Sequence, residues 1–228
     1  MCGKFTAQLT WDEYCDLAGV GADAIDPKSA LATFTPSMRV PVLHLGPVRQ
    51  RRITLMRWGW YDHKAAAPLR QFKHLHARSE EIDRTVTWME PFRDSRGVIF
   101  TKSFNIGETL PNGKTKQWVC TRADGEPLAL AVIFSTWELV QARLTAFAMI
   151  TTASCPPLDG KDERMPALLK PDEVAAWIGE EGASASELKA LLRPYDGELV
   201  MREQETGKPK AERNTTKTRA PSEQPDLF

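Results

Sequence analysis

The most unusual chemistry in this chain belongs to its second residue. In Met1-Cys2-Gly3-Lys4-Phe5 the small Cys2 side chain favours removal of Met1 by a methionine aminopeptidase, which makes Cys2 the new N-terminus. An α-amine, with an ordinary pKa of about 7.7–8.0, and a thiol, at about 8.5, then share one carbon framework. Both keep a nucleophilic fraction near neutrality. Such a 1,2-aminothiol attacks an aldehyde through nitrogen to give an imine, and sulfur then closes a five-membered thiazolidine. Gly3 adds no Cβ, so backbone can approach a substrate closely. The plainer alternative is that Cys2 belongs to a frayed end.

Two other groupings invite chemistry. His74 and His76, at i and i+2, face one side of a strand and could begin a metal site, but no third ligand stands at a suitable spacing. Trp58, Trp60 and Tyr61 follow Arg49, Arg51, Arg52 and Arg57. They read either as core or as a stacking platform for unpaired bases, with the arginines gripping phosphate. The four cysteines (Cys2, Cys15, Cys120 and Cys155) lie far apart without a C-x-x-C pair, which argues against zinc and disulfides and suits a reducing compartment.

The elements that must position these residues are legible in part. Thr10-Trp11-Asp12-Glu13 is a capping box opening a helix with Trp11, Tyr14, Cys15 and Ala18 on its apolar face, and Gly19 and Gly21 end it. Strands are expected at 40–45, 53–60, 98–100, 102–108, 117–120, 128–134 and 144–152, with Pro111-Asn112-Gly113 as a hairpin turn. His74 to Glu80 begins a polar segment that leads through Ile82 and Val86 to Trp88. The middle of the chain is therefore an antiparallel meander rather than a βαβ alternation, and it contains no glycine-rich phosphate loop. Pro171-Asp172-Glu173 starts a helix that Gly179 stops, and Ser184-Ala185-Ser186-Glu187 is a second capping box before Leu188–Leu192. Residues 202–228 carry charge and little to bury, and read as a disordered tail after a folded unit of 1–201.

With 30 basic and 30 acidic residues, the composition announces no nucleic-acid partner, so any phosphate-binding surface must be a local patch. No run of about 18 apolar residues exists to cross a membrane, and the N-terminus lacks the apolar region of a signal peptide; a cytoplasmic protein is expected.

Six stretches, in order, carry a resemblance: Met1-Cys2-Gly3-Lys4-Phe5, Met56-Arg57-Trp58-Gly59-Trp60, Ala77-Arg78-Ser79-Glu80, Ala123 to Ala129, Thr151-Thr152-Ala153 and Arg164-Met165-Pro166-Ala167-Leu168-Leu169. Together, from residue 1 to about 195, they resemble the SRAP family, the SOS-response-associated peptidases that process abasic sites. The resemblance implies one α+β domain, an antiparallel barrel-like sheet with flanking helices, and a groove for single-stranded DNA. It implies that Cys2 crosslinks to the ring-opened aldehyde of an abasic site, with lyase-like chemistry and peptidase-type release of the initiator methionine or the crosslinked peptide. It further implies Glu108, His76 and Asp162 as catalytic partners and Lys4, Trp58, Arg78 and Arg164 as DNA-facing residues. No metal or cofactor is implied, and the protein is expected to be a monomer at the nucleoid during repair.

Departures accompany the likeness. His76 stands where the family has Asn and Asp162 where it has His, while Glu108 lacks the usual surrounding sequence. Lys4 replaces Arg, keeping the charge without the bidentate fork. Outside the resemblance, the tail ends Gln224-Pro225-Asp226-Leu227-Phe228. That peptide resembles the Q-x-D-L-F signal for docking on the bacterial sliding clamp, with Gln224, Leu227 and Phe228 as anchors. Two rivals remain: a non-catalytic single-stranded-DNA-binding member of the family, and an N-terminal-nucleophile amidohydrolase, whose further signals are missing after Phe5.

Overall fold

The computed structural model describes residues 2–21, 32–61, 72–139 and 142–204. Strand β1 (Lys4–Thr6) leads into α1 (Trp11–Ala18), and β2 (Thr33–Phe34), β3 (Arg39–Leu45), β4 (Arg51–Trp58) and β5 (Trp60–Tyr61) follow. Next come β6 (Phe72–His74), β7 (His76–Arg78) and α2 (Val86–Asp94). The long strands are β8 (Arg96–Thr101), β9 (Ser103–Thr109), β10 (Thr115–Arg122), β11 (Leu128–Leu139) and β12 (Ala142–Ala153). After β13 (Arg164–Pro166) and β14 (Leu168–Leu169) come α3 (Val174–Ile178), α4 (Ala185–Leu191) and β15 (Leu199–Glu203).

The core is a closed ring of five strands in the order β12-β4-β3-β8-β11, completed because β11 pairs back onto β12. Most links are antiparallel, as the meander required. Two are not: β12 runs parallel to β4 (Phe147 opposite Trp58) and to β7 (Ile150 opposite Ala77). Parallel partners must come from distant sequence, so local turn signals could not announce them.

Ring strands are covered on both faces, and alternate residues join different apolar clusters. Ile99, Leu130, Val132, Phe147 and Met149 fall in one cluster, whereas Val98, Phe100, Ala131, Ile133, Ala148 and Ile150 fall in the other with the helices. This two-sided burial is why these strands read as continuous apolar runs rather than as polar–apolar alternation. Helix α1 contributes Trp11, Tyr14, Cys15 and Ala18 to the helix-side cluster, as its spacing predicts. Its capping box forms, with the Thr10 N–H donating to Glu13 Oε2 at 2.7 Å, a cap worth about 1 kcal/mol.

A second sheet, ordered β15-β10-β9-β1-β2, lays one face on the ring. Phe5, Phe34, Phe104, Ile106 and Cys120 are buried there. Its edge strand runs beyond the expected end of the folded unit at 201. β15 extends to Glu203, and the Gln204 N–H donates to Gln117 O at 2.8 Å. Residues 202–204 thus belong to the sheet, while the clamp-like peptide with Gln224, Leu227 and Phe228 lies outside the described residues.

Two further differences have local causes. Helix α2 forms at the end of the segment read only as polar; Pro91 within it removes one backbone bond, but Trp88, Pro91 and Phe92 bury together. Two arginines of the basic stretch 49–52 are engaged within the protein. Arg51 makes a bidentate pair with Glu180 (2.8 and 2.7 Å) and donates to Ala18 O at the end of α1. Arg49 donates to Gly179 O at 2.5 Å, at the end of α3. These cations satisfy helix C-terminal carbonyls. Among the described residues no helix is long and apolar enough to cross a membrane.

Candidate active site around the buried N-terminal cysteine

The short pairing of β1 with β9 (Lys4 opposite Asn105, Phe5 opposite Phe104) threads the N-terminus into the seam between the sheet and the ring. Cys2 is buried there, 1% exposed, and its thiol donates to Lys4 O at 3.3 Å. Burial pushes the thiol up to about 11; backbone groups of Lys4 and Asn105 draw it back, and Asp162 adds to the rise. The thiol is therefore protonated at neutral pH.

His76 reaches Cys2 from 74 positions away. Its Nε2 lies 2.8 Å from Cys2 O. A carbonyl only accepts, so Nε2 carries the proton and Nδ1 keeps a lone pair when the ring is neutral. Burial lowers the His76 pKa, against the opposing pull of the Cys2 carbonyl and of Asp162, so the ring is neutral near pH 7. The single-residue link at Leu75 between β6 and β7 aims His76, and Leu75 O also accepts from Trp58 Nε1 at 3.2 Å.

Asp162 is electrostatically coupled to both Cys2 and His76, and it accepts the Arg164 N–H at 3.2 Å. Three of the four sequence-expected catalytic residues thus share one neighbourhood. Glu108 faces elsewhere: its carboxylate accepts from Trp118 Nε1 (2.8 Å) and pairs with Lys161 (3.0 Å). Those partners, Lys161 foremost, hold it below the usual carboxylate range. Its link to the site runs through Lys161, the neighbour of Asp162.

The DNA-facing expectations divide. Lys4 is half-buried and donates to Gln204 Oε1 at 2.7 Å, and Arg78 is exposed beside the site. Trp58 is a correction. It is fully buried, 5.2 Å from Phe5 and 6.2 Å from Phe147 between ring centroids, with no face open to a base. Its edge-on contact with His76 at 6.2 Å makes it a support for that ring. Arg164 is committed as well, bidentate to Glu80 (3.0 and 2.9 Å) and bonded to Thr151 Oγ1 and O. It ties β13 to β12 and to the turn after β7, which sets the height of Asp162 relative to His76.

Asn105 escaped the sequence reading. It is 3% exposed, lies opposite Lys4, contributes backbone hydrogen bonding to the Cys2 thiol, and donates Nδ2 to Gln204 Oε1 at 3.0 Å. A polar residue between buried Phe104 and Ile106 was the available signal, since it marks the opposite face of the strand.

A family model described as SOS response associated peptidase (SRAP) matches residues 1–206. The abasic site processing protein YoqW of Bacillus subtilis is 23% identical over 203 residues, spanning 87% of this chain and 89% of that protein. The abasic site processing protein YedK of Escherichia coli is 26% identical over 210 residues, spanning 83% and 86%. A crystal structure of a Bacteroides thetaiotaomicron protein shares the fold at a TM-score of 0.76 and 17% identity, covering 89% of this chain and 91% of that one.

Proposed function

Because the chain belongs to the SOS response associated peptidase family, we propose that it processes abasic sites in single-stranded DNA by covalent capture at Cys2. One observation carries this: the hydrogen bond between His76 Nε2 and Cys2 O, with Asp162 coupled to both. It fixes the N-terminal residue relative to two groups able to hold and move protons.

Once Met1 is removed, the Cys2 amine adds to the ring-opened aldehyde and water leaves, giving an imine. The Cys2 sulfur then adds to the imine carbon; its proton passes to the nitrogen, and the thiazolidine closes. A thiol held protonated suits this order, with nitrogen as the first nucleophile. His76, neutral and donating through Nε2, orients the Cys2 carbonyl and offers Nδ1 as an acceptor. Asp162 offers a carboxylate that takes the proton the adding amine releases and passes it to the hydroxyl that leaves as water. Glu108 acts at one remove, positioning Lys161 beside Asp162.

The burial of the thiol favours one second reading, a member that holds single-stranded DNA without capturing it. A denaturing gel with an abasic single-stranded oligonucleotide separates the two. Capture gives a detergent-resistant adduct with the wild-type protein and none with Cys2→Ala, while both bind undamaged strand alike. An adduct that persists in Cys2→Ala refutes the aminothiol mechanism; binding without any wild-type adduct establishes the second reading.

A further inference from the structure

Two residues hold the Cys2 thiol through their main chains. The thiol donates to Lys4 O at 3.3 Å, and the Asn105 backbone bonds it from the neighbouring strand. Lys4 and Asn105 lie opposite each other in the pairing of β1 with β9, so together they form the two sides of one seat. Strand β1 is three residues long, at the short end for any strand, and its pairing alone gives that seat little rigidity.

The side chains of the same two residues converge on a third. Lys4 Nζ donates to Gln204 Oε1 at 2.7 Å, and Asn105 Nδ2 donates to the same oxygen at 3.0 Å. An amide oxygen has two lone pairs, and these donors use both. Asn105 is 3% exposed, so without this acceptor a buried N–H would lose its bond and bear the full cost of desolvation. Gln204 is itself fixed. Its backbone N–H donates to Gln117 O at 2.8 Å, one step beyond the register of β15 on β10, and Lys116 holds the preceding Glu203 at 2.8 Å. A residue 200 positions from Lys4 and 99 from Asn105 thus fastens both sides of the seat with one atom.

We propose that Gln204 is a positioning residue for the reaction at Cys2: by tying Lys4 to Asn105, it sets the rotamer and depth of the nucleophile that their main chains hold. Gln204 touches no reacting atom and acts through these two neighbours. The inference rests on the capture chemistry proposed for Cys2. It makes the root of the segment that reads as tail a working part of the site, because β1 alone is too short to fix its own N-terminal end.

Two substitutions in the full chain test it. Gln204→Met keeps the length of the side chain and removes the acceptor, whereas Gln204→Glu keeps an accepting oxygen. Each is compared with wild type for the rate of capture at saturating abasic single strand and for the rate at which iodoacetamide alkylates each cysteine, read by peptide mass spectrometry. In Gln204→Met, capture should slow roughly 3- to 10-fold, the effect of one lost hydrogen bond, while affinity for undamaged strand stays that of wild type. Alkylation of Cys2 should quicken by about the same factor, because a thiol freed from burial returns toward its ordinary pKa. Buried Cys15, Cys120 and Cys155 should stay slow. Opposite changes at one residue mark lost positioning, and Gln204→Glu should restore both rates. Capture or Cys2 alkylation at the wild-type rate in Gln204→Met overturns the inference. So does faster alkylation of all four cysteines, which assigns the loss to unfolding, or a Gln204→Glu protein as slow as Gln204→Met. If wild type captures nothing, the function proposed for Cys2 falls, and alkylation alone decides for Gln204: a faster Cys2 keeps the seat, an unchanged one removes it.

Discussion

The closed ring and the five-stranded sheet employ the same kinds of residue to opposite ends. Ring strands are covered on both faces, and several cations around them are already engaged: Arg51 with Glu180 and α1, Arg164 with Glu80 and Thr151, Arg96 with Trp177 O and Phe92 O. The sheet is covered on one face, and on its open face Lys4 and Arg202 meet no carboxylate among the described residues. Proximity in sequence would rank Arg49 and Arg51 with this pair. Their partners reverse the ranking, because a cation bound to a carboxylate has given up the charge a phosphate would need. Aromatic rings teach the same lesson. Trp58, the expected base-stacking residue, is one of the largest fully buried side chains.

If the ring is scaffold and the sheet's edge is machinery, variants should separate stability from binding. Trp58→Ala tests the division hardest. Removing this ring from between Phe5 and Phe147 should cost about 3–5 kcal/mol in denaturant unfolding. DNA affinity of the remaining folded protein should change little. A Trp58→Ala protein of normal stability but weakened binding would put this tryptophan in the groove after all.

A smaller effect concerns the seam itself. Burial raises the Cys2 thiol from 9.0 to about 11, so the folded state keeps a proton that the unfolded chain releases. The resulting stability is whole below about pH 9 and is lost as pH rises through about 11, an upper limit of about 2–3 kcal/mol. Denaturant midpoints followed from neutral to alkaline pH should therefore fall further for wild type than for Cys2→Ala. Equal falls would mean that the thiol is hydrated in solution and that the seam is open.

The smallest effect belongs to Glu108→Gln. The amide still accepts from Trp118 but loses its charge opposite Lys161. Capture of abasic strand should slow roughly 2- to 10-fold, because Lys161 loses its carboxylate partner and the loop that carries Asp162 loses an anchor. The unfolding midpoint should stay put. A wild-type rate would leave Glu108 as a strand-end contact alone.

Much of this molecule was legible in one dimension, because several of its signals are local. The Thr10–Glu13 box, the Gly19 and Gly179 stops, and the Ser184–Glu187 box each depend on residues within a turn of one another, and each formed. The proposed 1,2-aminothiol and the ordered motifs were readable for the same reason: adjacent groups and short patterns need no third dimension. Which strand lies beside which was not. The parallel links of β12, the burial of Trp58 and the turning of Glu108 toward Lys161 all depend on pairing across long sequence separations.

The sequence by itself determined the local elements and the family, and it supplied the proposed nucleophile. Only the tertiary structure decided which polar groups stay unpaired. Period-two alternation tells that a strand has two faces but not which one water reaches. That choice buried Cys2 beside His76 and Asp162, and it brought Arg202 from the apparent tail into a row with Lys4. The physical reason is that a charge's availability depends on its neighbours in space, and closing the ring and laying the second sheet on it sets those neighbours.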